Sequence, residues 1–446
     1  MAFLAYVLQS PISAPNLKYL LIIPSSELMS SYRESTPQPN TRGSGLGRAQ
    51  AGNRWIMLFS GWLLYFSFGL IYTAVAPLVS PIMQELHLTY TQMGAITGAW
   101  QLVYIFSAQP LGLMVDRLGV RRSLLLGAVI MPVSSILRGF SYSFEGLLAS
   151  VALFGLGGPL ISVGTTKLVS VWFTGRERSI ASGINASAPS AGSIAALGLT
   201  NSLALPLVGS WRGVFFIYGL VGFATALVWY LESKRTPPQG SEGFDKGGRA
   251  DRSPISQLLK NRTIWSIIAI GIVYFLTTHS LQNWLPSILS MKGFSTVQAG
   301  YATSLMTLSG ILGGLIVPRF LVRPRRMNLV IASILAISGA SILITGLGTG
   351  LDLWFAIVTA GFFTRSLMPI LTVTLMNMPE IGPQRMGAIG GLFFSMGEIG
   401  GFTGPFMMGY LRDVTDSFQA GTLFLAVVTW ISVSFTSVLR TRAVSE

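Results

Sequence analysis

Of 446 residues, 51% are hydrophobic and only 10% are charged, with a mean hydropathy of +0.60, which excludes an ordinary soluble domain. The formal net charge is +14, but the basic residues cluster between apolar runs, so they serve to orient membrane segments and no nucleic-acid partner is expected. With no cysteine and two histidines, His87 and His279, disulfides, thiolate metal sites and a His-rich metal centre are excluded, and neither metal nor cofactor is expected.

Residues 1–54 read as a cytoplasmic tail. Positions 30–54 are rich in Ser, Pro, Gly, Thr and Arg and are predicted to be disordered. The apolar runs within 1–28 are broken by Pro11, Pro15 and Pro24. They neither span a membrane nor carry the basic start of a signal peptide, and translation is expected to begin at Met29.

Twelve apolar stretches follow, each about 18 residues or longer and so able to cross a bilayer as helices. They lie near 55–83, 91–115, 122–140, 144–173, 177–205, 211–231, 263–289, 296–321, 328–347, 351–378, 384–411 and 418–438. A β-barrel is excluded, because its strands alternate over about ten residues. The predicted fold is therefore an all-α polytopic membrane protein. Six helices over 55–231 and six over 263–438 form two pseudo-symmetric bundles, joined by the hydrophilic linker 232–262 and followed by a tail, 439–446. The register that places Trp55 on Arg262 also places Arg178 on Arg385. Such an internal duplication is a mark of secondary transporters, whose site lies at mid-membrane between repeats.

Basic residues crowd one set of loops: Arg117, Arg121 and Arg122, then Arg176 and Arg178, the middle linker, and Arg319 to Arg326. The opposite set holds Arg138, Arg212, Lys292 and Arg412 near helix ends. This positive-inside bias puts both termini in the cytoplasm, with the plasma (inner) membrane as the expected location.

On the first span, Tyr65, Phe68 and Tyr72 share a helix face, and on the second so do Trp100, Gln101 and Tyr104. Either stripe is helix packing or the lining of a cavity. The loop after the second span carries Gly112, Asp116, Arg117, Gly119, Arg121 and Arg122. Here Asp116 can pair with Arg121 or Arg122 and face a helix N-terminus, while Gly119 permits the turn. The spacing G-x-x-x-D-R-x-G-x-R-R resembles the signature of the major facilitator superfamily, with a degenerate echo over 314–326 in which Arg323 replaces the Asp. Lys167, Trp172 and Phe173 leading to Arg178, with Trp211 and Arg212, resemble the cyanate-permease-like branch. So do Gly387, Ala388 and Gly391 leading to Gly404, Pro405, Gly409 and Asp413. The superfamily resemblance covers 55–440. It implies two rocking bundles, a cavity lined by helices 1, 4, 7 and 10, and a signature loop that acts as a cytoplasmic latch.

Lys167 lies roughly 13 Å inside its helix end; it is a snorkelling side chain or an attractor of anions. On the seventh span, Thr277, Thr278, His279, Gln282 and Asn283 form a polar stripe before Pro286, with His279 and Asn283 as candidate substrate contacts and helix packing as the alternative. Arg365 stands about 20 Å from either end of its apolar segment, where a permanent cation costs at least about 2.5 kcal/mol. Its planar fork suits a carboxylate-like group. Glu398, at comparable depth on the next span, is the candidate proton-coupling residue. The alternative is that Arg365 and Glu398 pair with each other as a structural bridge.

The chain thus reads as a secondary transporter, working by rocker-switch alternating access on a small organic or inorganic anion, with proton coupling. It is not expected to be an enzyme, and it is expected to be a monomer whose partners are its substrate, protons and the lipid bilayer. An exporter of lipophilic or cationic compounds, with Glu398 as the cation partner, is a second reading, and a transporter-like ligand sensor is a third.

Overall fold

The computed structural model describes residues 44–235, 261–320, 327–376, 378 and 381–439; among them all regular structure is helical. The expectations for 1–43, most of the linker (236–260), the echo residues 321–326 and the tail from 440 on lie outside the described residues. Two compact units separate at Ala51 and Gly52, and the second holds the membrane crossings.

The first crossing is made by α1 (Ser44–Thr73), a 3-10 turn at Ala76–Leu78 and α2 (Val79–Leu86). Helix α1 starts well before Trp55, so the disorder expected up to residue 54 is corrected from Ser44 onward. Once an apolar segment has nucleated a helix, each residue added in front gains a hydrogen bond at little further cost, and the Gly- and Ser-rich composition does not stop it. Helix α3 (Tyr90–Gly139) has 50 residues, about 75 Å at 1.5 Å per residue and more than twice a hydrocarbon core of about 30 Å. It breaks at Gly119, whose φ of 77° and ψ of 161° are non-helical, and therefore makes two crossings. The residue predicted to turn the chain does so, in a region of φ that favours glycine.

The first half is completed by α4 (Phe144–Trp172), by α5 (Gly175–Leu199) with α6 (Leu205–Val208), and by α7 (Trp211–Arg235). The second half comprises α8 (Arg262–Met291), α9 (Thr296–Ile316), α10 (Met327–Leu347), α11 (Leu351–Met376), α12 (Gly382–Thr415) and α13 (Phe418–Ser432). Ten helical segments among the described residues are long and apolar enough to cross a membrane. Counting α3 twice and adding the 34 residues of α12 accommodates the twelve expected crossings. Helix starts are encoded locally: Thr89 with Gln92, and Ser295 with Gln298, form capping boxes ahead of α3 and α9.

One apolar core runs through the first half and into one end of the second, taking in Leu276, Trp284, Met306, Met408 and Phe418. The other end of the second half has its own core, around Ile264, Ile334, Leu371, Ile389 and Phe393. The halves are thus joined at one end, here called the sealed end. Lipid tails are as apolar as leucine, so a seam within a membrane depends on close packing and hydrogen bonds rather than on water exclusion. At the sealed end, Gly94 lies against the backbone at Pro405, and Gly409 against the backbone at Tyr90; a Cβ at either would collide with main chain. The second seam joins α5 and the π-helical turn after it (Thr200–Ala204) to α9: Ser304 Oγ donates to Ile194 O at 3.2 Å and Asn201 Nδ2 to Thr296 O at 3.3 Å. At the end carrying the Asp116–Arg122 loop, the signature end, Arg117, Arg121 and Arg122 are exposed among the described residues, and none of the described residues comes within 4 Å of where a Cβ would sit on Gly112 or Gly183.

Candidate functional site

Between the two ends, polar side chains of both halves meet on one face of α8. Arg365 of α11 donates from Nη2 to Gln282 Oε1 at 2.8 Å. Gln282 Nε2 in turn donates across the seam to Tyr72 OH at 2.6 Å and Thr73 Oγ1 at 3.0 Å. Thr73 Oγ1 continues to Ser193 Oγ of α5 at 2.9 Å. The buried amide of Gln282 therefore uses its acceptor and both donors at once. In doing so it ties the mid-membrane cation of the second half to the first half.

One turn earlier on α8 is His279, whose Nε2 lies 3.6 Å from Glu398 Oε2. Among the described residues Glu398 faces His279 and Arg365 bonds Gln282, so the alternative reading, an Arg365–Glu398 bridge, is not what these residues form. The reason is helix phase: each side chain meets whatever the neighbouring helices present at its own angle, and α8 is interposed. The His279 ring stacks on Phe275 with centroids 5.9 Å apart and meets the edge of Trp100 at 5.8 Å. A Cβ on Gly401 would strike Glu398 Oε2 and would come within 3.1 Å of Gln101 Cγ and 3.2 Å of His279 Cδ2. Gln101, His279 and Glu398 thus converge on one point. Gln101 is fully buried, yet among the described residues neither of its amide atoms has a hydrogen-bond partner; His279 Nδ1 and Glu398 Oε2 are likewise unpartnered there.

The aromatic stripes form the wall of this region. Tyr72 packs on Trp100 with centroids 5.5 Å apart, and Phe68 touches Tyr65, Tyr72 and Trp100. Trp100 continues to Tyr104, whose hydroxyl lies 3.3 Å from Ser162 Oγ. Of the candidate substrate residues, Arg365, His279, Tyr72, Trp100 and Gln101 are thus brought together, and Tyr65 and Tyr104 extend the wall. Asn283 is buried but, among the described residues, stands outside this network. Gln282, Thr73 and Ser193 were not among the singled-out residues. Only Gln282 carried a signal, as part of the polar stripe on the seventh span.

At the signature end, Asp116 does not pair with Arg121 or Arg122. Its Oδ1 accepts from Lys167 Nζ of α4 at 2.6 Å, a partner 51 positions away that local reading could not supply. Lys167 here serves an ion pair within the first half. At the sealed end, Asp413 of α12 spans the seam. Its carboxylate accepts from the backbone N–H groups of Tyr90 at 3.0 Å and Thr91 at 2.7 Å, and from Thr91 Oγ1 at 2.5 Å. A carboxylate on the unsatisfied donors at the start of α3 is favoured by their direction and by the helix dipole. Arg138, expected near a helix end, is wholly buried; it donates to Ile71 O at 2.8 Å and lies against the rings of Phe154 and Phe215.

The sequence profile of the Major Facilitator Superfamily matches residues 61–405. A probable galactarate/D-glucarate transporter of Bacillus subtilis, GudP, is 24% identical, the match covering 83% of this chain and 88% of the relative. The D-galactonate transporter of Escherichia coli O6:H1 is 25% identical over 74% of this chain and 83% of its own length. Among solved structures, a bacterial homologue of the human lysosomal transporter Spinster, in an inward-facing and occupied conformation, superposes with a TM-score of 0.68 at 16% identity. It covers 86% of this chain and 96% of that one, a likeness of fold.

Proposed function

We propose that this chain, which belongs to the major facilitator superfamily, is a secondary transporter that carries a small organic anion held on Arg365 between its two halves. The observation that carries this reading is the bond from Arg365 through Gln282 to Tyr72 and Thr73. It puts a permanent cation where the halves meet, at a depth where an unneeded charge is costly. Guanidinium offers five donors in a planar fork, so a bound carboxylate can engage the donors that Gln282 leaves free. The relatives named for sugar acids support an acid as the cargo.

Glu398 with His279 is the proton site of this reading. A carboxylate and an imidazole 3.6 Å apart, walled by aromatic rings, can take up a proton on one side of the membrane and release it on the other as the halves rock. The signature end faces the cytoplasm of a plasma membrane and both termini lie inside, in keeping with the basic residues gathered at that end. The conformation described is then open inward. The signature loop closes this end when the sealed end parts.

The test is uptake of labelled galactonate and galactarate into proteoliposomes, with and without an inward proton gradient. Gradient-driven uptake that Arg365→Gln abolishes is the expected result. Uptake that survives this substitution, or an acid-insensitive protein that instead moves lipophilic cations, contradicts the proposal.

A further inference from the structure

We infer that the site prefers a monocarboxylate with a hydroxyl at its far end over the matching dicarboxylate; this rests on the anion reading of Arg365 and names the substrate class within it. The argument is the polarity of the site along α8. Arg365 is bound at Gln282 and Glu398 stands beside His279, and these two α8 residues are one turn apart, about 4.5 Å along the axis. The site therefore has a cation at one end and a carboxyl group at the other.

The far end also has unused hydrogen-bonding capacity. Among the described residues, Gln101 presents an unpartnered Nε2 donor and an unpartnered Oε1 acceptor, and Glu398 Oε2, 3.6 Å from His279 Nε2, makes no hydrogen bond. Buried polar groups are rarely left unpaired, and those that are mark places where something else makes the bond. A hydroxyl is a donor and an acceptor in one group. It can donate to Glu398 Oε2 or Gln101 Oε1 while accepting from Gln101 Nε2. A second carboxylate is an acceptor only, so it has no proton to give Glu398 Oε2 or Gln101 Oε1, and whenever Glu398 is ionised it also meets a like charge. The cation binds the shared feature of such acids, and Glu398 with Gln101 reads the terminus in which they differ.

Two matched pairs of probes isolate that terminus. Galactonate and galactarate share a hydroxylated six-carbon skeleton and differ only in a terminal CH2OH against a carboxylate; 3-hydroxypropionate and malonate differ in the same way on three carbons. Equilibrium binding of all four is measured on the purified full chain, on Arg365→Gln and on Glu398→Gln. The expected result is that the wild type binds the hydroxy acid of at least one pair about tenfold or more tightly than its dicarboxylate. Glu398→Gln should bring that ratio towards one by strengthening the dicarboxylate, and Arg365→Gln should abolish both. A preference below about tenfold in both pairs, or a reversed one in both, overturns the inference without need of any variant, as does a ratio unchanged in Glu398→Gln. If binding still depends on Arg365 in those cases, the anion reading stands. If none of the four binds, or if binding ignores Arg365→Gln, the anion reading falls and the inference falls with it.

Discussion

Asp413 and Asp116 occupy opposite ends of the bundle and hold opposite kinds of contact. Asp413 reaches from the second half to main-chain N–H groups of the first, within a seam where Gly94 and Gly409 let backbones touch and the apolar core is continuous between halves. Asp116 pairs with Lys167 inside the first half, with 68% of its side chain exposed, at the end where the second half keeps a core of its own. The same residue type thus joins the two halves at one end and pairs within one half at the other. The seam is held by a carboxylate on a helix start and by fitted backbone. The mid-membrane link from Arg365 to Tyr72 lies between the two ends, where a bound anion would feel both.

Predictions follow from cutting this arrangement at different depths. Arg365→Gln removes the cation at its centre, and we expect binding of the transported acid to fall by about 30-fold or more, since losing one partner of a buried charge contact costs about 2–5 kcal/mol; equilibrium titration checks this. Glu398→Gln should abolish proton-driven accumulation while leaving exchange of acid for acid across liposomes within a few-fold of wild type, because the cation and its link to the first half are untouched.

Asp413→Asn weakens the sealed end. A lost charged cap is worth about 1–2 kcal/mol, which amounts to roughly a tenfold shift towards the conformation open at that end. The chain has no native cysteine, so the alkylation rate of a single cysteine at Thr97, buried near that seam, reads the shift directly. Lys167→Gln should move the thermal midpoint least, because exposed ion pairs contribute about 0–1 kcal/mol; a change as large as that from Asp413→Asn would erase the contrast between the two ends.

Much of this architecture is legible in the sequence because its causes are local. Apolar length specifies the crossings, Thr89 and Ser295 begin helices through their own side chains, and Gly119 marks a turn that other residues adopt only with strain. Arg365 and Glu398 stand out by being charged where the lipid forbids it. Their partners are not legible, because the rotation of one helix against the next is set by packing along the whole length of both. Gln282 lies 83 positions from Arg365 and Thr91 lies 322 from Asp413, and no periodicity in either segment carries that information. The early start of α1 escaped for a different reason: composition reports intrinsic propensity, whereas the helix there extends one already nucleated by apolar sequence.

The central claim is that Arg365 holds the substrate, and ligand-dependent thermal unfolding of the purified protein tests it most directly. At a hundredfold excess over its dissociation constant, an acid that binds only the folded state adds about 2.7 kcal/mol of stability. The account predicts that at least one hydroxy acid raises the midpoint of the wild type and leaves Arg365→Gln unmoved. An acid that stabilises both proteins equally, or lipophilic cations that stabilise both while acids stabilise neither, would contradict it and leave Arg365 a structural residue.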